Sequence, residues 1–546
     1  MLKETWNDTW LEYLAKIFGG SEMAYNTTVF FLFLAVFLCV YFLLRKPRGR
    51  RNWILIGSLV FYAWSGWEAL IIVLFTAVVV YWTTRRMEKV YGKYEAQKQQ
   101  FSPKEQVKLL SGYKKRTKQY FLTALILILA IWIFVKAGRL MGWETVTTFA
   151  EVWQRKGMIV PLGISYYSLS AIGYMLEVYW RRVKPEHNFL NLFTVMIYFP
   201  HIVQGPISRY DGLLKQLKVL PSFQYERVCQ GLQLMLWGYI KKMVIADRLV
   251  VYTSAVFGDP MNFAGVEMLL AVILSVFQLY ADFSGCMDIV RGISEAVGID
   301  LDENFRQPLF ARDAQEFWSR WHITLGAWSK DYLYLPIALN PRFMKMTSRM
   351  KKEGKKRLPA FLRGFCPLIA VWLFTGLWHG TGLDYLAWGM YWCLLMTIAQ
   401  EGRPLFQKLT KSLKINPDTA AYRIFQAVRT SMLFAVGRTF TVAGSLSGFV
   451  MIWKQMFAES RVWTLFDGSL YQHGLDQKDF YVALFGIALI LLVDMLHERG
   501  ISIRKKIGDQ KLVVRWMIYY GALFALIVVG VYGPAYDAAS FVYGAF

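Results

Sequence analysis

The stretch Thr28–Leu44, TVFFLFLAVFLCVYFLL, contains no charged residue and is followed at once by Arg45 and Lys46. With its flanks it approaches the roughly 20 apolar residues that a helix needs to cross about 30 Å of hydrocarbon. The pattern recurs in Ala69–Trp82, Phe121–Val135, Met268–Leu279 and Met517–Val531. In lipid every backbone amide must be paired within the protein, which leaves helices or closed barrels. Continuous apolar blocks exclude the alternating pattern of barrel strands. Across the 546 residues, 55% are hydrophobic and 17% aromatic, too few polar side chains to cover a soluble fold. The chain therefore reads as an all-α integral membrane protein.

A formal charge of +24 suggests nucleic acid until its distribution is considered. The Lys and Arg residues cluster beside the ends of apolar blocks, which is the positive-inside pattern, so membrane lipids are the expected neighbours and nucleic acid is not. On that rule Arg45–Arg51, Arg85–Lys118, Arg181–Lys184, Arg342–Arg363 and Arg504–Arg515 face the cytoplasm. A first span over about 27–44, a helical hairpin over 53–84, and spans over 120–137, 159–180 and 513–533 then place both termini outside. Residues 1–22 are polar, carry two tryptophans and are expected at the interface, ahead of a transmembrane domain over 23–546. Five cysteines without CxxC or CxxH spacing argue against a disulfide framework or a zinc site. Asn191–Ile207 is apolar but interrupted by Pro200, Gly205 and Pro206, and reads as a re-entrant segment bordering a chamber.

Asp313 and Glu316 have capping-box spacing and predict a helix over 313–330. On it Phe317, Trp318, Trp321, Leu325 and Trp328 share one face, with His322 at its edge. The segment is too short and charged to span, so it reads as an interfacial helix with its tryptophans at headgroup level.

His379 closes the apolar run Pro367–Trp378 and precedes Gly380 and Gly382. An ionisable side chain at membrane depth is costly and points to function; the competing reading is a neutral histidine that packs between helices. Burial keeps an imidazole neutral, the state a general base requires. His201 lies in the re-entrant segment and is a candidate chamber residue, whereas Asp282 and Asp288 read as a polar packing cluster at a helix terminus. There is no HExxH, GxSxG, Walker or GxGxxG motif, so the sequence offers no metal site, serine triad or nucleotide loop.

Several segments together resemble the membrane-bound O-acyltransferase (MBOAT) family, in its bacterial alginate O-acetyltransferase branch. They are Val160–Tyr167, Tyr198–His201 with Gly205–Ile207, Asp282–Gly285, Glu316–Leu325 continuing through Asp331–Pro336, and Gly376–Gly380. The resemblance implies a polytopic bundle of about 11 transmembrane helices, with re-entrant and interfacial helices around a central funnel. It implies that His379 is the catalytic histidine and His322 the second functional one, with Trp378, Trp321, Asp331, Tyr332 and His201 as candidate substrate-binding residues. It further implies a bacterial cytoplasmic-membrane enzyme without a permanently bound cofactor. The implied donor is an acyl-CoA thioester, acetyl-CoA being the expected one, and the implied partner an extracytoplasmic SGNH-type acetyltransferase. The chain departs from the family pattern at Leu169-Ser170, Glu177 and Val436-Gly437-Arg438. D-alanyl transfer to teichoic acid, and a non-enzymatic transporter or flippase, are the competing functions.

Overall fold

The computed structural model describes residues 23–64, 66–146, 151–152, 157–355 and 357–532. The interfacial segment expected over 1–22 and the last residues, 533–546, lie outside the described part, and so do both termini. Among the described residues the regular structure is helical and there is no strand. Six helices are long and apolar enough to cross a membrane, and the opening block forms a shorter apolar helix, Thr28–Leu43. The protein is an all-α polytopic membrane protein. Its contacts divide into two units, 1–231 with 293–301, and 232–292 with 302–546.

In the first unit α1 (Thr28–Leu43) begins where the Thr27 hydroxyl accepts the Phe30 amide, satisfying one of the donors that a helix start leaves over. Helices α2 (Pro47–Trp64), α3 (Trp67–Gln97) and α4 (Pro103–Leu140) follow. The basic region 85–118, expected as a connection, is mostly helix, interrupted only by a turn at 98–102. Ser102 and Glu105 form a capping box there, and Lys and Arg are good helix formers. At 1.5 Å per residue the 38 residues of α4 reach about 57 Å, well beyond the hydrocarbon thickness, so its charged first half is free to project into water.

Helix α5 (Ile164–Tyr179) has thirteen of its sixteen residues buried. The segment after it is broken: α6 (Phe189–Met196), a single turn α7 (Phe199–Ile202), then irregular chain to Arg209. Side chains satisfy part of this buried backbone. Tyr25 donates to the carbonyls of Phe199 and Pro200 at 3.0 and 3.1 Å, and Ser58 accepts the Phe199 amide at 3.1 Å. Gly163 has φ +68°, and a Cβ there would lie 1.7 Å from the Ile202 carbonyl oxygen, so the turn before α5 has no room for a side chain.

The chain of the second unit includes the end of α8 (Tyr225–Tyr239), a π-helical stretch Ile240–Ala246, α9 (Asp247–Gly258) and most of α10 (Val266–Ala296). Gly238 and Gly285 bring α8 and α10 into backbone contact, since a Cβ on Gly238 would meet the Gly285 carbonyl oxygen at 2.5 Å. Asp282 and Asp288 fall inside α10, not at a helix terminus as their position after an apolar run suggested. The polar cluster itself is present, with lysines as its other half. Lys242 lies 2.7 Å from Asp282 and 2.9 Å from Asp247, its side chain 1% exposed. Lys241 lies 2.6 Å from Asp288 and 2.9 Å from the Ser284 hydroxyl.

Removing one member of a buried ionic group strands the others without solvent, a loss of about 3–5 kcal/mol. Lys242→Met should therefore lower the thermal unfolding temperature of the detergent-solubilised protein markedly. Adding Asp282→Asn and Asp247→Asn to that variant should recover part of the loss. A single variant as stable as the parent would show that the cluster contributes nothing.

Candidate active site

Helix α13 (Arg357–His379) and helix α14 (Leu383–Glu401) form a tight hairpin. Its closeness depends on glycine at two levels: a Cβ on Gly376 would sit 2.6 Å from the Tyr385 carbonyl oxygen, and one on Gly389 2.4 Å from that of Trp372. His379 is the last residue of α13 and is buried. Its imidazole is boxed by indoles, with the Trp378 ring centre 4.7 Å away and that of Trp388 5.2 Å away, both nearly perpendicular.

The single helix expected over 313–330 is two helices. Asp313 caps α11 (Ala314–Arg320) by accepting the Glu316 amide at 2.8 Å. The Glu316 carboxylate reaches back to the Arg312 amide at 2.8 Å, one residue before the position a capping box uses. After Arg320 the backbone is extended at Trp321, and His322 adopts the left-handed region at φ 48°, ψ 50°, before α12 (Ile323–Ser329) starts. Such a conformation costs a residue with a side chain roughly 1–3 kcal/mol and persists only where neighbours enforce it. The neighbours are residues 304–306, which pair across the break like a strand: Phe305 bridges Trp321, the Arg306 amide donates to the Arg320 carbonyl at 2.9 Å, and the Ile323 amide donates to the Asn304 carbonyl at 3.1 Å.

This break also reverses the expected placement of the aromatic stripe. Phe317, Trp321 and Trp328 are buried, and Trp318 meets the rings of Trp372 and Trp392 at 4.9 and 5.0 Å. They pack on other side chains of the unit, not at a headgroup interface.

His322, buried, and His379 line one chamber of about 50 Å³, together with Trp318, Trp321, Tyr385, Trp388 and Arg438. Trp378 touches both imidazoles, its ring centre 6.0 Å from that of His322. Phe283 presents its ring at 89° to His322, 4.9 Å away. Burial holds the His322 imidazole at about 3, far below its ordinary 6.5, so the ring is neutral at physiological pH.

Of the other candidates, Asp331 and Tyr332 sit half-buried in the turn Lys330–Tyr334 after α12 and are not part of the chamber lining. His201 belongs to the first unit, where it lines a separate cavity of about 10 Å³ with Tyr166, Tyr167 and Tyr210. The sequence reading did not count Tyr385 or Arg438 among the site residues. Arg438 lies on α15 (Ala420–Val442), where its guanidinium donates to Thr441 at 2.8 Å. Its signal, a charge late in a run otherwise apolar, was present but was read only as a departure from a motif.

Residues 178–348 match the membrane-bound O-acyltransferase family model. A Pseudomonas aeruginosa protein named probable alginate O-acetylase is 27% identical over 80% of this chain and 75% of its own length. A peptidoglycan O-acetyltransferase of Helicobacter pylori is 26% identical over 67% of this chain and 68% of its own. A teichoic acid D-alanyltransferase of Bacillus subtilis is 27% identical over 50% of this chain and 66% of its own. Residues 178–348, which run through His322, are thus similar to the membrane-bound O-acyltransferases, and with these relatives the protein is an O-acyltransferase.

Proposed function

We propose that the chain moves an acetyl group from a thioester, acetyl-CoA, toward a hydroxyl of an extracytoplasmic polysaccharide, with His379 as general base. The observation that carries this reading is the meeting of two imidazoles in one small aromatic chamber. As the acceptor oxygen attacks the thioester carbonyl, its proton passes to His379; the C–S bond then breaks and the departing thiolate takes that proton, giving ester and free thiol. A positioned base contributes typically 10²- to 10⁴-fold to such a step. Arg438, at the same chamber, supplies positive charge for the oxyanion that develops on the carbonyl. The alginate and peptidoglycan O-acetylating relatives support acetyl as the group and a polysaccharide as its destination. A secreted SGNH-type acetyltransferase is the partner that would complete delivery.

His379→Gln keeps polarity and approximate size but cannot act as base. Single-turnover transfer in purified, monodisperse protein should fall by about 10²- to 10⁴-fold while donor affinity stays nearly unchanged, as for an interaction made in the transition state. Turnover within a few-fold of the parent would remove His379 from that role. Consumption of a D-alanyl carrier-protein thioester in place of acetyl-CoA would move the assignment to D-alanyl transfer.

A cytoplasmic donor also requires an orientation. Eleven Lys and Arg residues lie between Arg85 and Lys118, and the turn joining α3 to α4 is among them. A cysteine at Gln99, in a background without reactive native cysteines, should resist impermeant thiol reagents in intact cells. Rapid labelling would invert the topology and separate the basic hairpin from the donor side.

A further inference from the structure

The Asn304 side chain stands at the break between α11 and α12 and is 1% exposed. Its Oδ1 lies 3.0 Å from the Thr324 amide nitrogen, 2.6 Å from the Thr324 hydroxyl and 3.4 Å from Nδ1 of His322. A backbone N–H can only donate, so the carboxamide atom facing it is the oxygen, not the nitrogen. The amide nitrogen then points the other way, to the Met287 sulfur at 3.0 Å. An oxygen that only accepts sits well against Nδ1–H and badly against an Nδ1 lone pair, and in a dry interior that difference is not screened by water. In a neutral imidazole the state of one nitrogen dictates the other.

We infer that Asn304 is a positioning residue that holds His322 in the Nδ1–H tautomer, so that the ring offers the chamber a lone pair at Nε2 and recognises the hydroxyl of the acceptor, not the oxygens of the thioester donor. A lone pair can receive a hydrogen bond or a proton from a hydroxyl. It cannot donate to a carbonyl or phosphate oxygen, which is what anchoring the donor would demand. The left-handed backbone of His322 has the same purpose, because it brings the ring and the Thr324 amide to one carboxamide oxygen. This assignment rests on the chamber being the site of transfer, whereas the tautomer is measurable without any turnover.

The chain has six histidines, few enough for 15N NMR of the histidine-labelled full-length protein in lipid nanodiscs, with His322→Gln identifying the His322 signals. At neutral pH they should report a protonated Nδ1 and a bare Nε2; a protonated Nε2 or an imidazolium overturns the inference. Asn304→Ala should populate the other tautomer and slow single-turnover transfer by about tenfold or more, since an Nε2–H can no longer accept a hydrogen bond from the acceptor hydroxyl. Thr324→Val, which keeps the backbone amide, should leave the tautomer unchanged. If Asn304→Ala does not fold, the parent spectrum decides by itself. With acetyl-CoA as donor and octyl glucoside as surrogate acceptor, His322→Gln should lower kcat/KM for the sugar by about tenfold or more and leave donor affinity within about threefold. The reverse split overturns the assignment to the hydroxyl. Absence of any turnover by the parent protein, with the tautomer as inferred, counts against the transferase reading and not against Asn304.

Discussion

A polar group withdrawn from water inside an apolar bundle has to find its partner within the protein, and the irregular features of this molecule follow from that constraint. The regular helices satisfy it by their own backbone hydrogen bonds. At two places where the chain leaves the helix, side chains take part: Tyr25 and Ser58 at the broken segment 198–202, Asn304 at the break before α12. Charged side chains obey the same rule. Lys241 and Lys242 are buried because three carboxylates, Asp247, Asp282 and Asp288, are within ion-pair distance of them.

The candidate active site is built from two such departures. His379 stands where α13 ends, at the mouth of a hairpin whose glycines let two helices touch. His322 stands where a helix is interrupted, in a backbone conformation that its neighbours at 304–306 enforce. Neither histidine is presented by the interior of a regular helix. A chamber of about 50 Å³ is lined largely by indoles, so the charge of Arg438 and the orientation of each imidazole act beside apolar walls that screen them poorly.

The family match over 178–348 includes Asp282, Asn304 and His322 but stops short of His379 and Arg438. The chamber therefore joins residues of the matched region to residues well beyond it. Long matches to O-acetylating relatives cover most of the chain, while the D-alanyl-transferring relative covers half.

By itself the sequence determined the class of the molecule. Uncharged runs such as Thr28–Leu44 admit only helices in lipid, and a histidine closing the run Pro367–Trp378 stands out because burying an ionisable group is costly. Motif resemblance added the pairing of His379 with His322. Tertiary structure decided what periodicity could not see. The capping residues at 313–316 correctly opened a helix, yet nothing in 313–330 announces that Phe305 and Asn304 will cross it and break it at Trp321–His322. The aromatic stripe looked suited to a membrane interface because a local pattern cannot tell lipid from protein as the partner of an apolar face. Lys241 and Lys242 were invisible as partners of Asp282 and Asp288 for the same reason: about 40 residues separate them, and their attraction exists only once α8 and α10 meet at Gly238 and Gly285.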